Sequence, residues 1–560
     1  MVRRRKNQRE KPKAQSNSGQ AGAPQKPSEL PVRWAWILVG LIIVATGLVR
    51  GRLLEFPLER DEGEYAYAGQ LILQGIPPYK LAYNMKLPGT YAAYAVMLAL
   101  FGQSAGGVHL GLMLVNGITI LLVFLLGRRL FDSCAGVAAA AAYAMLTVSQ
   151  GVFGQAAHAT HLVALFAVGG VLALIHACVA RGLWLYLASG LLLGLAFLMK
   201  QHGVFFILFG AIAVICAESQ RTPRNWRGSF LRLASFGIGA LAPFGATCGI
   251  LAWAGVLDRF WFWTFTYARE YLDQLPVGYA IGVFPQKMWA VIDGNVWLWL
   301  LAAAGLIAVW WDRSRRGSAA WVTGLLVFSF LAVCPGLYFR GHYFIVMLPA
   351  VALLAGAAVS WLGDQMARRG FEMSVVRAVP VLVLLAAIGW SLVAQTGFLF
   401  ELPLEQACRA TYSVNPFVEA VEIGRYLREH AGPDDRIAVL GSEPEIPFYS
   451  QRRSASGYIY MYGLTEEHPF ALTMQREMIA EIEKAAPKYL VLVVSEPSWL
   501  FRDKSEGLIL EWAKSYSEKE YDLVGVADME SSGTRYLWDA QAAGYKPRSE
   551  FFVKVYRRKP

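Results

Sequence analysis

The stretch VRWAWILVGLIIVATGLV (residues 32–49), followed at once by RGRLLEFPLERDEGEYAY (residues 50–67), decides the fold. The first part is apolar over a length close to the roughly 20 residues that a membrane-spanning helix needs. The second part holds five acids: Glu55, Glu59, Asp61, Glu62 and Glu64. We interpret the apolar run as a retained anchor rather than a signal peptide, because no small-residue cleavage site follows it. The stretch therefore predicts a membrane helix that carries an acidic cluster to the outer membrane face.

The composition of the whole chain is also more apolar and less charged than that of a soluble domain. Its 560 residues are 56% hydrophobic and 17% charged, whereas soluble domains are about 45–50% apolar and about 25% charged. A disordered or simple soluble protein is thereby excluded. The net charge of +11 comes from short basic clusters between apolar runs, which is typical of cytoplasmic loops rather than of a nucleic-acid-binding surface. The six cysteines form no C-x-x-C motif, so neither a disulfide framework nor a zinc site is predicted.

Ten further apolar runs bring the prediction to about eleven transmembrane helices: 106–127, 134–151, 159–180, 182–199, 203–217, 231–255, 294–311, 319–334, 342–363 and 376–398. The run 87–102 is shorter and opens with Pro88-Gly89, so we interpret it as an interfacial helix. With that choice the later basic clusters share the cytoplasmic side with the N-terminal tail, as the positive-inside rule requires. These clusters are Arg128/Arg129, Arg181, Arg221/Arg224/Arg227, Arg313/Arg315/Arg316 and Arg368/Arg369. The C-terminal segment is then extracytoplasmic.

Three regions follow from these patterns. Residues 1–33 are predicted to be a disordered basic cytoplasmic tail, and residues 34–399 a transmembrane domain with a catalytic first external loop at 51–105. From residue 400 charge rises, and strand-like runs appear at 436–441, 488–494, 521–526 and 551–558. Helical patterns at 417–430, 474–486 and 507–518 alternate with them, which predicts an extracytoplasmic α/β domain over 400–560.

The acidic cluster precedes a predicted amphipathic helix that Gly75 and Pro77-Pro78 end. Asp61 or Glu62 is placed near the N-terminus of this helix. One interpretation is structural, because an acid in front of a helix caps free backbone N–H groups. The functional interpretation is favoured, since a cap needs one acid and this run offers three.

Cationic residues are predicted on the same side of the membrane. Lys86 precedes the interfacial helix, Lys200 ends the span 182–199, and the segment YFRGHYF carries Arg340, His342 and Tyr343. Each alone is typical of a side chain that extends from a helix end to the membrane surface. Together with the acids they provide a base for an attacking hydroxyl and cations for a departing phosphate.

Two further patterns leave alternatives open. His158 and His161 have a spacing that metal ligands use, but without a third ligand in the sequence pattern we favour polar loop residues and predict no metal site. The aromatic run RFWFWTFTY at 259–267 favours an interfacial belt, and the alternative is the lining of a lipid or sugar groove.

These residues resemble a known family. An acidic pair in the first external loop, followed by a helix, KLPG (86–89), LFG (100–102) and GRRLF (127–131), is similar to family 39 of the C-type glycosyltransferases. That family includes protein O-mannosyltransferases and lipid A aminoarabinose transferases. The similarity continues through GLLLGLAFLMKQHG (190–203) and RGHYFIVMLPA (340–350), and covers about residues 34–363.

The resemblance implies a multispan membrane enzyme that uses a polyisoprenyl-phosphate sugar. The family's acidic pair matches Asp61-Glu62, of which the aspartate activates the acceptor and the glutamate helps hold the donor. Lys86 matches the loop lysine that binds lipid phosphate in the aminoarabinose transferases. The chain departs from the family at GQAAHATHL (154–162), where many members carry a second acid and this sequence has none. A divalent metal cofactor is therefore not supported by the sequence.

The leading hypothesis is an inverting glycosyltransferase that moves a sugar from a polyisoprenyl-phosphate donor to a lipid, glycan or protein hydroxyl. Lys86, Lys200, Arg340, His342 and Tyr343 are the predicted donor- and phosphate-binding residues, and Asp61 and Glu62 the catalytic ones. A polytopic transporter or lipid flippase is the alternative, and a scaffold with an external binding domain is a third. A bacterial plasma membrane is the predicted location.

Overall fold

A computed structural model describes residues 30–223, 225–272 and 274–560. Most of the predicted tail, residues 1–29, lies outside the described residues, and so does Arg224. The helices of the N-terminal 400 residues are α1 (Val32–Arg52), α2 (Arg60–Leu73), α3 (Pro88–Phe101), α4 (Ala105–Leu130), α5 (Ser133–Thr147), α6 (Ala159–Ala180), α7 (Leu183–Met199), α8 (Val204–Ser219), α9 (Trp226–Trp253), α10 (Leu257–Trp261), α11 (Ala268–Leu272), α12 (Val277–Ile292), α13 (Val296–Trp311), α14 (Arg316–Val333), α15 (Leu348–Arg368) and α16 (Met373–Ala394).

The predicted polytopic helical fold is confirmed. Within the described ranges, nine helical stretches are long and apolar enough to cross a membrane, and α5 and α7 are shorter apolar helices. Each predicted span overlaps one of these eleven. The sequence pattern missed α12, which runs through a short 3-10 turn into α13 and makes one stretch of 35 residues. Its sequence places Pro285 and Lys287 within the helix, and these residues interrupt the apolar run.

Helix α3 corresponds to the run 87–102, for which an interfacial position is predicted. Pro88 occupies its first position, where the missing N–H costs nothing, and Gly102 ends it with a positive φ of 95°. Its 14 residues span about 21 Å at 1.5 Å per residue, which is less than the roughly 30 Å of a hydrocarbon core. An interfacial position stays a prediction that this length favours.

The C-terminal region forms a six-stranded mixed sheet in the order β2-β1-β3-β6-β4-β5. Its strands are β1 (Arg436–Leu440), β2 (Arg453–Ser454), β3 (Tyr489–Val494), β4 (Tyr521–Glu530), β5 (Gly533–Trp538) and β6 (Phe552–Arg558). β1 pairs in parallel with β2 and β3, and the remaining pairs are antiparallel. The helices are α17 (Leu404–Tyr412), α18 (Phe417–His430), α19 (Glu445–Ser450), α20 (Tyr462–Thr465), α21 (Ala471–Ala485), α22 (Glu496–Trp499) and α23 (Leu508–Glu520).

The predicted α/β composition of this region is confirmed, and all four predicted strands are present. Two strands were missed. β2 is only two residues long, and β5 is an edge strand without a buried alternate face, so neither carries the period-two pattern that identifies a strand.

Arg60 of α2 bonds the C-terminal region to the start of this helix. This guanidinium donates to the Ser442 carbonyl oxygen at 2.5 Å and to the Tyr462 hydroxyl at 2.8 Å, and it pairs with Glu443 at 3.1 Å. Gly63, one turn later, packs so closely that an added Cβ would lie 2.6 Å from the backbone nitrogen of Glu445. The start of α2 is therefore held between the membrane helices and the C-terminal sheet region.

Candidate functional site

A cavity of about 420 Å³ lies between the start of α2, the ends of several membrane helices and the C-terminal region. Its polar and charged lining comprises Asp61, Asn84, Lys86, Lys200, Gln201, His202, Arg269, Arg340 and Glu466. Aromatic side chains supply much of the rest, among them Trp263, Phe265, Tyr267, Tyr271, Tyr343, Tyr460 and Tyr462. The cavity therefore offers cations together with broad ring faces.

Local sequence places Asp61 in the first turn of α2 with its side chain free for other contacts. The N-cap of α2 is Glu59, which accepts from the backbone N–H of Glu62 at 3.0 Å, while the Glu62 carboxylate accepts from the Glu59 N–H at 3.3 Å. This is a capping box with glutamate at both ends. The capping interpretation of the acidic run thus applies to Glu59 and Glu62, and it leaves Asp61 to face the cavity.

Asp61 and Lys86 form the central ion pair of the cavity. The Lys86 ammonium donates to Asp61 Oδ1 at 2.9 Å and to the Tyr65 hydroxyl at 3.2 Å, and the Tyr460 hydroxyl lies 3.3 Å from the same Asp61 oxygen. Burial is the largest single influence and would raise the pKa of Asp61, but the surrounding positive groups, Lys86 first among them, together outweigh burial and hold that pKa well below its ordinary value. Asp61 is therefore ionised at neutral pH.

Lys200 and Arg340 are two further cationic side chains that line the cavity. The Lys200 ammonium sits 3.9 Å above the centre of the Tyr343 ring, and the Arg340 guanidinium lies 5.3 Å from that of Tyr338. Burial and repulsion from Lys86 lower the pKa of Lys200 to about 7. A buried lysine with this pKa is poised to gain a proton when an anion enters the cavity.

Glu62 is the one predicted catalytic residue that the structure does not bring to the cavity. Its Oε1 accepts from the Ala157 N–H at 2.6 Å and lies 3.1 Å from His109 Nε2. The side chain is only 1% exposed. These contacts tie the start of α2 to α4 and to the loop before α6, so the geometry gives Glu62 a positioning role.

Two histidines, His158 and His342, lie close to Asp61. The rings of His158 and His342 stack at 4.0 Å, and His342 Nε2 lies 3.9 Å from Asp61 Oδ2. Burial lowers the pKa of His158 to about 4, so this imidazole is neutral at pH 7. The sequence pattern placed His342 among the phosphate-binding residues, and in the structure it contacts Asp61.

Asp61, His158 and His342 each bring one possible ligand atom within 4.8 Å of the others. Such a set resembles the three protein ligands of a catalytic zinc site. However, Lys86 already engages Asp61 Oδ1, and Lys200 and Arg340 line the same cavity. A divalent cation fits this electrostatic environment less well than an anion does.

Several cavity residues were not predicted from the sequence. Tyr460, Tyr462 and Glu466 come from the C-terminal region, where the segment SGYIYMYG (456–463) carries three alternate tyrosines. This alternation of tyrosines was the sequence signal from which a contribution of the segment to the site could have been predicted. The aromatic run 259–267 contributes Trp263, Thr264, Phe265 and Tyr267 to the cavity lining. That this lining receives a lipid or a sugar stays a prediction.

The comparisons with known proteins agree with this architecture. ArnT from Cupriavidus metallidurans bound to undecaprenyl phosphate superposes with a TM-score of 0.56 at 16% identity, covering 94% of this chain and 98% of that one. The apo oligosaccharyltransferase of Archaeoglobus fulgidus superposes with a TM-score of 0.53 at 14% identity, covering 92% of this chain and 76% of that one. The fold is that of these two membrane proteins. This likeness in fold agrees with the resemblance noted in the sequence.

Sequence comparisons agree over a shorter region. Residues 86–245 match the family described as dolichyl-phosphate-mannose-protein mannosyltransferase. A curated relative from Pseudomonas aeruginosa, undecaprenyl phosphate-alpha-4-amino-4-deoxy-L-arabinose arabinosyl transferase, is 31% identical over 224 residues. The match spans 36% of this chain and 38% of that relative. The apolar helices and these matches show an integral membrane protein that is similar to these transferases.

Proposed function

We propose that the protein is an inverting glycosyltransferase that moves a sugar from a polyisoprenyl-phosphate donor to an acceptor hydroxyl at the outer face of the membrane. The observation that carries the proposal is the cavity in which one ionised carboxylate, Asp61, faces three cations, Lys86, Lys200 and Arg340. The names of the matched proteins support it, since they are sugar transferases and one was solved with undecaprenyl phosphate.

The cations serve the donor phosphate. Hydrogen bonds between ammonium or guanidinium groups and phosphate are roughly twice as strong as neutral ones, and the surrounding rings exclude water from them. Tyr343 positions Lys200 through the cation–π contact. Apolar residues of the cavity lining, including Phe197, Val204 and Leu272, suit the first isoprenyl units of the lipid.

Asp61 serves the acceptor. In the transfer step the acceptor oxygen attacks the anomeric carbon, the bond from that carbon to the phosphate oxygen breaks, and Asp61 takes the acceptor proton. The leaving phosphate carries the electron pair away and remains bound to the cations. Entry of the donor draws Lys86 from Asp61 toward phosphate, which weakens the ion pair and raises the basicity of Asp61 at the moment when a base is needed.

The transporter and scaffold alternatives are less well supported. The proteins matched by sequence and by fold are transferases, and the charged groups converge on an aromatic-lined cavity near the ends of the helices. The proposed location is a bacterial plasma membrane, with a cytoplasmic N-terminus and an extracytoplasmic C-terminal domain. The acceptor is a lipid, glycan or protein hydroxyl.

The test is transfer from a panel of undecaprenyl-phosphate sugars by purified full-length protein, with envelope extract as the acceptor source. We expect the wild type to release undecaprenyl phosphate from one donor, and Asp61→Asn to lose roughly a hundredfold or more in turnover while it still binds that lipid. Asp503→Asn, a change of the same kind at an exposed position, is the matched control. Near-normal turnover in Asp61→Asn would remove the base assignment, and no donor consumption by the wild type would refute the proposal.

A further inference from the structure

The proposed transfer leaves one buried acid of α2 without a role. Glu64 lies three positions after Asp61 in this helix, and residues with that spacing share one face of a helix. The Glu64 side chain is 0% exposed. Burial of a carboxylate is costly unless hydrogen bonds or nearby charges compensate for it. The partners of Glu64 therefore show which part of the molecule this acid serves.

Two hydrogen-bond donors satisfy the Glu64 carboxylate. The Asn84 amide donates to Oε2 at 2.7 Å, and the Tyr91 hydroxyl donates to Oε1 at 2.5 Å. The orientation of the Asn84 amide is fixed, because its Oδ1 accepts from the Met85 N–H at 2.7 Å and only its NH₂ group can then face the acid. Glu64 therefore holds Asn84, and Asn84 holds the backbone that leads directly to Lys86.

Lys86 is carried by the α2–α3 segment, residues 74–87, which contains no helix or strand. Two carbonyl oxygens of this segment accept side-chain hydrogen bonds: that of Lys86 from the Tyr79 hydroxyl at 2.7 Å, and that of Met85 from the Gln201 amide at 2.7 Å. Tyr79 belongs to the segment itself, and Gln201 follows α7. Neither bond fixes the position of the segment relative to α2.

The side chains of Lys86 and Asn84 join the α2–α3 segment to α2. The Lys86 ammonium donates to Asp61 at 2.9 Å, and the Asn84 amide donates to Glu64 at 2.7 Å. The proposed transfer breaks the first contact, because the Lys86 ammonium turns from Asp61 to the donor phosphate. The contact between Asn84 and Glu64 does not change in that step. It keeps the backbone of Lys86 in one place relative to α2 in both states.

We propose that Glu64 is a positioning residue for Lys86. Through Asn84 it holds the α2–α3 segment against α2 while the lysine ammonium moves from Asp61 to the donor phosphate. A fixed backbone restricts the flexible lysine side chain to these two anions, so less freedom is lost when the phosphate binds. The benefit for donor binding rests on the proposed function, whereas the hold of Glu64 on the segment does not.

The first test reports on Lys86 without any donor. Full-length protein in detergent is treated with a limiting acetylating reagent, and peptide mass spectrometry follows acetylation of Lys86 relative to the exposed Lys504. We expect Glu64→Ala to raise the relative rate roughly 3- to 10-fold, the factor that one hydrogen bond contributes, because the ammonium leaves the ion pair more often. The matched control is Tyr94→Phe, which removes a buried hydroxyl bond of α3 to the Ala157 carbonyl oxygen. An unchanged rate in Glu64→Ala, or an equal rise in the control, would overturn the proposal.

The second test is a double-mutant cycle with undecaprenyl phosphate as the probe. Glu64→Ala should bind this lipid roughly 3- to 10-fold more weakly than the wild type. In the Lys86→Ala background the same change should alter the affinity by less than about twofold, because the contact that Glu64 supports is already gone. Equal factors in the two backgrounds would show that Glu64 acts independently of Lys86 and would overturn the proposal.

Two further variants keep the tests decisive. Glu64→Gln retains an oxygen acceptor for the Asn84 amide and should stay within about threefold of wild-type affinity; a loss as large as that in Glu64→Ala would overturn the role of this hydrogen bond. If Glu64→Ala does not fold, Asn84→Ala removes the same contact from the other side and replaces it in both tests. A wild type that binds no undecaprenyl phosphate, but whose Lys86 acetylation still depends on Glu64, would refute the proposed function and support the hold on the segment.

Discussion

Lys200 should make donor binding sensitive to pH. Its pKa is lowered to about 7 by burial and by Lys86, whereas a solvated lysine titrates near 10.4. In the free protein about nine tenths of the Lys200 side chains are charged at pH 6, and about one tenth at pH 8. Only the ammonium form can donate a charge-assisted hydrogen bond to phosphate, so affinity for a phosphate-bearing lipid should fall as the pH rises through 7.

The size of the effect follows from the buried contact. A hydrogen bond to a charged partner contributes about 1.5–3 kcal/mol, which is roughly a 10- to 150-fold factor in affinity. Because Lys86 and Arg340 remain charged over this pH range, the loss of affinity cannot exceed the contribution of the Lys200 contact. Relative to a variant in which this position stays charged, we expect undecaprenyl phosphate to bind about tenfold more weakly at pH 8.5 than at pH 6.

The assay is equilibrium binding of undecaprenyl phosphate to full-length protein at several pH values. The lipid is itself a phosphate ester whose second ionisation lies near pH 6, so the Lys200→Arg variant supplies the reference. Arginine stays charged over the whole range and can stack on Tyr343 in the same way. Wild type should lose affinity with pH relative to Lys200→Arg, and Lys200→Gln should be weak at every pH. Parallel profiles for wild type and Lys200→Arg would refute the reasoning.

Three other predictions follow from the site. Lys86→Ala should weaken undecaprenyl phosphate binding by about tenfold or more, measured beside the melting temperature of the same sample, and wild-type affinity would remove the phosphate role of Lys86. Glu62→Gln should lower the free energy of unfolding by about 1–3 kcal/mol in denaturant unfolding, because the Glu62 carboxylate holds the Ala157 N–H and His109. Donor affinity should change little. Unchanged stability together with weaker donor binding would instead place Glu62 in the donor site. Single cysteines replacing Gly317 and Lys546 in a cysteine-free chain should react with an impermeant reagent from opposite sides of the membrane, and labelling from the same side would contradict the eleven-span topology.

The sequence predicted the membrane body well because apolar length and basic clusters are local signals. Counting spans put Lys86, Lys200 and Arg340 on one side of the membrane, and the structure places all three around one cavity. Apolar length and basic clusters do not reveal the direction in which a side chain points within a helical turn. Asp61 and Glu62 are neighbours in sequence, yet α2 turns one toward Lys86 and the other toward His109.

Long-range contacts account for most of what sequence reasoning missed. The stack of His158 on His342 joins two loops that each resemble ordinary polar connections in sequence. Tyr460 reaches Asp61 from 399 positions away, which no periodicity can reveal. The C-terminal sheet was predicted as a separate region, and its contribution to the cavity depends on how it docks on α2.

The contact of Arg60 with Ser442 spans 382 residues of chain, which has a consequence for biosynthesis. When α2 emerges from the ribosome, the groups that will accept hydrogen bonds from the Arg60 guanidinium have not been made. At about 5–20 residues per second, synthesis of the intervening chain takes roughly 20–80 s. During that interval Arg60 stays hydrated and the start of α2 lacks its partner. The nascent chain therefore carries Asp61 without a finished cavity, which forms only when the last-made region docks on α2.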